Sequence, residues 1–145
     1  MKNLVFSLAF AVCVFATGAP AFAQQSGGLK IEFQGPGGHS SGAYGRVSAL
    51  HAAARAVILI QKALPAGSYQ ITNLTGGNSV NSIASDGLIE MKLTAANANA
   101  YQALVAAVTK AAADGAAAEN AFRGVKAGDL TSGAPATVRS VVTPF

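Results

Sequence analysis

Apolar residues recur along this chain with two different periods, and the order in which those periods follow one another narrows the folds open to it. Leu29-Lys30-Ile31-Glu32-Phe33-Gln34 places apolar residues at odd positions and polar ones at even positions, the pattern of a half-buried strand. Gly35 to Gly45 holds five glycines and a proline in eleven residues, so the chain turns there. From Arg46 to Leu64 the period becomes helical. Val47, Leu50, Ala54, Val57, Ile58 and Leu64 form the apolar stripe opposite Ser48, His51, Arg55 and Lys62. Pro65 and Gly67 end it. Tyr69 to Thr75, rich in β-branched and aromatic residues, reads as a second strand closed by Gly76 and Gly77. Asp86 to Thr94 is a third, with Ile89, Met91 and Leu93 facing inward.

A second helix starts at Asn97 or Asn99, either of which can cap the free N–H groups of a first turn. Its stripe is Tyr101, Leu104, Val105, Val108 and Ala112, and its alanine content carries it past Gly115 to Phe122. Val125 to Leu130 is expected to form a short fourth strand. The succession strand, helix, strand, strand, helix, strand gives an α+β fold of the ferredoxin-like βαββαβ type, a four-stranded antiparallel sheet with both helices on one face. The expected domain covers 29–130, after a loose polar leader at 24–28 and before an irregular tail at 131–145.

Residues 1–23 read as a secretory signal peptide. Lys2 supplies the basic start, Leu4 to Thr17 the apolar run, and Ala21-Phe22-Ala23 a small-x-small cleavage site ahead of Gln24. The apolar run is short for a membrane span, which needs about 20 residues, and Gly18 and Pro20 interrupt it. Cys13 lies within that run after Val12, so a lipoprotein site is not expected. A secreted or periplasmic protein without a stable membrane anchor after cleavage follows. The only cysteine leaves with the leader, which suits an oxidising compartment.

Composition removes several function classes. One cysteine cannot build a disulfide framework or a Cys-rich zinc module. With two histidines and six Asp+Glu, a multi-ligand metal site is not expected, and no cofactor is implied. The basic residues are scattered rather than arranged as a stripe with interleaved aromatics, so no nucleic-acid partner is expected. The glycines at 35, 37 and 38 are not a phosphate loop, because no Gly-Lys-Ser/Thr follows.

Two segments carry a specific likeness. Gly35-Pro36-Gly37-Gly38-His39-Ser40-Ser41-Gly42-Ala43-Tyr44-Gly45, with Ala49-Leu50-His51-Ala52 after it, and Gly76-Gly77-Asn78-Ser79-Val80-Asn81-Ser82-Ile83 resemble motifs of the di-zinc exopeptidases and amidohydrolases. That family includes peptidase T, aminoacylase, carboxypeptidase G and succinyl-diaminopimelate desuccinylase. The resemblance spans 29 to about 130 and is to the family's dimerisation, or lid, domain rather than its catalytic domain. Glu32, Asp86, Glu90, Asp114, Glu119 and Asp129 include no His-x-Asp or Glu-Glu pair of the kind that holds the family's metals. The resemblance implies that His39 is the lid histidine, its ring N–H aimed at the oxyanion of a tetrahedral intermediate in a neighbouring active site, and that Asn81 helps to hold substrate. Where the family carries an Asp-x-Arg ending to its third strand, this chain has Lys92 and Thr94, and threonine cannot make the bidentate clamp of a guanidinium. His51 reads as a surface or interface residue.

Three functions follow as expectations. The first is a non-catalytic association module, forming a homodimer or pairing with a related full-length peptidase chain. The second is the lid subunit of a split di-zinc peptidase, with His39 completing the site of a separate catalytic chain. The third is a small-ligand binding module using the His39/Asn81 cleft.

Overall fold

Ten residues of alternating or small side chains, Gln25–Gln34, form the first strand, β1, and every other strand of the main sheet is placed by reference to it. The computed structural model describes residues 23–145; the expected signal peptide, apart from Ala23, lies outside the described residues. After β1 come β2 (Gly38–His39), α1 (Ser40–Ala43), α2 (Ala49–Ala63), β3 (Tyr69–Thr75), β4 (Ser82–Ile83), β5 (Asp86–Ala95), α3 (Ala98–Phe122), β6 (Leu130–Thr131), β7 (Ala134–Pro135) and β8 (Arg139–Pro144). The main sheet runs β3-β5-β1-β8, all antiparallel. With α2 and α3 packed on the face lined by Leu29, Ile31, Phe33, Ile89, Met91 and Leu93, this is the expected ferredoxin-like arrangement. Among the described residues no helix is long and apolar enough to cross a membrane.

The strands at 69–75 and 86–95 and the Asn97 cap, which accepts the Ala100 N–H at 2.9 Å, follow the sequence pattern. Three expectations are corrected. The 24–28 stretch is not a loose leader: Gln25 to Gly28 pair with Lys92 to Ala95 and extend β1 to the full length of β5. Its glycines make room. A Cβ on Gly27 would meet the Tyr101 hydroxyl, and one on Gly28 would come within 2.8 Å of the Phe145 ring.

The fourth strand is not 125–130, and the tail is not irregular. β8 pairs Arg139 to Pro144 with Gln34 to Leu29, so the folded unit reaches past 130. Pro135 and Pro144 disguise this strand in the sequence, but Val138 and Val142 point into the core while Arg139 and Val141 face out. Residues 124–138 carry the chain from the helix layer back to the sheet edge and include only the small β6–β7 hairpin.

The third correction concerns the buried face of α2. Ala54 and Ile58 are exposed; the core face is Ala49, Ala52, Ala53, Ala56 and Ile60. The cause is α3, whose buried residues Ala111, Ala112, Gly115 and Ala116 are equally small. A Cβ on Gly115 would lie 2.8 Å from the Ala56 nitrogen and 2.9 Å from the Ala52 oxygen, so the two helix backbones are nearly in contact. Large apolar residues where α2 meets Gly115 would hold the helices apart, which is why the hydrophobicity pattern misplaced Ala54 and Ile58, whereas Val47, Val57 and Leu64 of the expected stripe do pack on the core. Gly115→Ala is therefore expected to destabilise the fold by about 1–3 kcal/mol in urea unfolding, although alanine has the higher helix propensity.

Candidate functional site

Both glycine-rich segments sit at one end of the sheet, where β1, α2, β3 and β5 begin or end. Gly37 has φ of 62°, a left-handed conformation that side chains disfavour, and a Cβ there would lie 2.7 Å from that of Ser85. That turn sends β2 back against β4, pairing Gly38 with Ile83 and His39 with Ser82. The Ser40 N–H donates to the Asn81 carbonyl at 2.9 Å. The backbone thus brings the two motifs side by side.

His39 and Asn81 meet directly. Nε2 of the ring lies 3.1 Å from the Asn81 side-chain amide nitrogen. On the other side Nδ1 lies 2.8 Å from the Ser41 hydroxyl and accepts the Ser41 backbone N–H at 3.3 Å. The Ser79 hydroxyl donates to the Asn81 side-chain oxygen. Both ring nitrogens are therefore engaged within the chain, on an exposed surface. Because the Asn81 amide nitrogen can only donate, Nε2 accepts in this contact, and to donate to a reacting oxyanion it must take up the ring proton and release Asn81.

Other residues singled out in the sequence lie elsewhere. Lys92 and Thr94 are at the opposite end of β5, paired with Gly28 and Ser26, so the strand position where the resemblance expects an arginine is remote from His39. His51, on α2, has Nδ1 3.8 Å from Glu119 Oε1. Among the described residues no group of three or more His, Cys, Asp or Glu side chains gathers closely enough to hold a metal ion.

Glu119 is the residue that sequence reasoning passed over. Its side chain, on α3, is fully buried. Oε1 accepts the backbone N–H of Ser48, the N-cap of α2, at 3.2 Å and Nε of Arg123 at 3.3 Å; Oε2 accepts Nε of Arg55 at 3.0 Å. Arg55 and Arg123 both stack near the Phe122 ring, 4.9 and 5.0 Å from its centroid. The sequence signal was present: Glu119 continues the buried line of Val108, Ala112 and Ala116 and has Arg123 four residues on. Burial acts to raise its pKa, but the Ser48 N–H and the two guanidiniums outweigh it and hold the carboxyl below the ordinary glutamate value.

The chain belongs to the peptidase dimerisation domain family, whose model matches residues 24–120. Among solved structures, a tripeptidase from Staphylococcus aureus is similar in fold at 17% identity and a TM-score of 0.63, over 84% of this chain and 29% of that one. An aminobenzoyl-glutamate utilization protein from Klebsiella pneumoniae is similar at 16% identity and 0.61, over 88% of this chain and 32% of that one. A hydantoinase/carbamoylase family amidase from Burkholderia ambifaria is similar at 18% and 0.61, over 86% and 28%. The chain thus spans less than a third of the length of these structures. No curated protein matches it.

A carboxyl whose folded pKa is depressed contributes stability that is complete above its unfolded pKa of about 4.3 and is lost as pH falls through the folded value. Wild-type unfolding midpoints should therefore drop as pH is lowered below that point. Glu119→Gln should cost about 1–3 kcal/mol at pH 7, because the two guanidiniums keep partial access to water, and should flatten this acid dependence. Urea titrations of both proteins from pH 7 to pH 3 measure it.

Proposed function

We propose that this chain is an exported, non-catalytic association module that pairs with a second copy of itself or with a related full-length peptidase chain. The family assignment carries the reading, and the free edge of the sheet supports it. Among the described residues β3 has β5 on one side only, and α2 packs beside it. Ile58 on α2 is 52% exposed and Leu74 on β3 is 42% exposed, so this side offers apolar surface next to unpaired strand backbone. The opposite edge, β8, ends at Pro144, which has no N–H to extend a ladder. Edge-to-edge pairing of two β3 strands around a twofold axis would join the sheets and cover both α2 faces.

A second reading rests on the His39–Asn81 contact at 3.1 Å. Here the chain is the lid of a split peptidase, and His39 supplies an oxyanion donor to a separate catalytic chain. The pair is exposed and faces away from the sheet core, as a donor acting across an interface must.

Light scattering of the purified protein should give a dimer mass, and Ile58→Glu should shift it to monomer with the circular dichroism spectrum unchanged. A wild-type monomer at high micromolar concentration counts against self-association. For the second reading, addition to a metal-loaded catalytic chain should raise its rate, and His39→Ala should remove about 10²–10³-fold of that gain. Export predicts a processed product beginning at Gln24, read by intact-mass spectrometry of the secreted fraction.

A further inference from the structure

A cleft of about 520 Å³, separate from the His39–Asn81 pair, opens between the start of α2, the loop 76–84 and the end of α3. That volume lies within the range of small-molecule sites. Its charged wall is cationic: Arg46, His51 and Arg123 line it, and no Asp or Glu does. The neighbouring carboxylate, Glu119, already has both oxygens occupied by Ser48, Arg55 and Arg123. Arg123 reaches Glu119 through Nε, and its two Nη groups make no hydrogen bond among the described residues. Arg46 gives one hydrogen bond from each Nη, to the Gly37 carbonyl and to Ser132 Oγ, leaving further N–H groups of its five unspent. Two guanidiniums, those of Arg55 and Arg123, bond the one Glu119 carboxylate, and that of Arg46 has no carboxylate partner among the described residues, an excess of positive charge even with His51 neutral.

The rest of the wall includes the apolar side chains of Leu50, Val80 and Ile83. Guanidinium edges favour oxyanions in planar, charge-assisted hydrogen bonds, and apolar walls favour a hydrocarbon body over a fully hydrated inorganic ion. The geometry points to a binding site for a small organic carboxylate, with the anionic group held between Arg46 and Arg123 and the body against Leu50 and Val80. The site uses neither His39, Asn81 nor the β3 edge, so it stands independently of the association reading.

Titration of benzoate, benzamide and inorganic phosphate into the isotope-labelled protein, followed by amide chemical shifts, tests it. Benzoate should move the amides of 46–51 and 76–84 saturably. Benzamide should bind about tenfold more weakly, since it lacks the charge that assists the hydrogen bonds, and phosphate should bind more weakly than benzoate. Arg46→Gln should weaken benzoate about fivefold, and so should Val80→Glu, which places a like charge at a fully exposed rim position without disturbing the fold. Arg139→Gln, outside the cleft, should leave the affinity unchanged. Absence of saturable shifts, equal affinities for benzamide and benzoate, tighter binding of phosphate, or an unaltered affinity in Val80→Glu would each overturn the assignment. Light scattering on the same samples reports association separately.

Discussion

The near-contact of two helix backbones is the constraint on which the rest of this domain depends. α2 and α3 approach most closely where Ala52 and Ala56 meet Gly115, while Ala49 and Ala53 meet Gly87 of β5, and the neighbouring buried residues Ala111, Ala112 and Ala116 are equally small. Side chains this small contribute little buried area each, so the stabilisation comes from dispersion between closely packed backbones and from the larger residues of the sheet beneath. At the end of that seam the buried carboxylate of Glu119 joins the start of one helix to the end of the other, through Ser48 on α2 and Arg123 just beyond α3. The seam fixes where α2 begins, and α2 in turn fixes the loops on either side of it: the Ala49 N–H donates to the Ala84 carbonyl at 3.0 Å. The His39–Asn81 pair is thus positioned at a distance by packing in which neither residue takes part.

That arrangement explains how much could be read from the sequence. Alternation at 29–34 and 86–94 located the central strands because a two-residue period has only one solution when one face is buried. The helix faces were harder. In the first half of α3 Tyr101, Leu104, Val105 and Val108 mark the packed side, but in α2 alanines do, and a hydrophobicity scale ranks Ile58 above Ala52. Only the close approach at Gly115 reverses that order, and the approach is a tertiary fact. The last strand was missed for a different reason: Pro135 and Gly133 precede it and Pro144 ends it, so the local signals of a loop frame a short alternating segment.

The two motifs were legible because their glycines answer to backbone geometry. The turn at Gly37 requires a positive φ and leaves no room for a side chain beside Ser85. The fold itself is shared with much longer chains at 16–18% identity. Glu119 was passed over, although it continues the line of Val108, Ala112 and Ala116, because a glutamate in an alanine-rich helix usually faces water. Its burial becomes sensible only once Arg55, from a helix 64 residues away in sequence, is placed beside it.

The pairing of β1 with β8 has a consequence for how the molecule comes into being. Leu29 lies opposite Pro144, so one of the two central strands stays an open edge until the final residues of the unit are available. Contacts between sequence-distant strands delay folding, because the intervening chain must be ordered before they form. A polypeptide emerging in order from its N-terminus therefore cannot complete this sheet until residues 139–144 have been delivered.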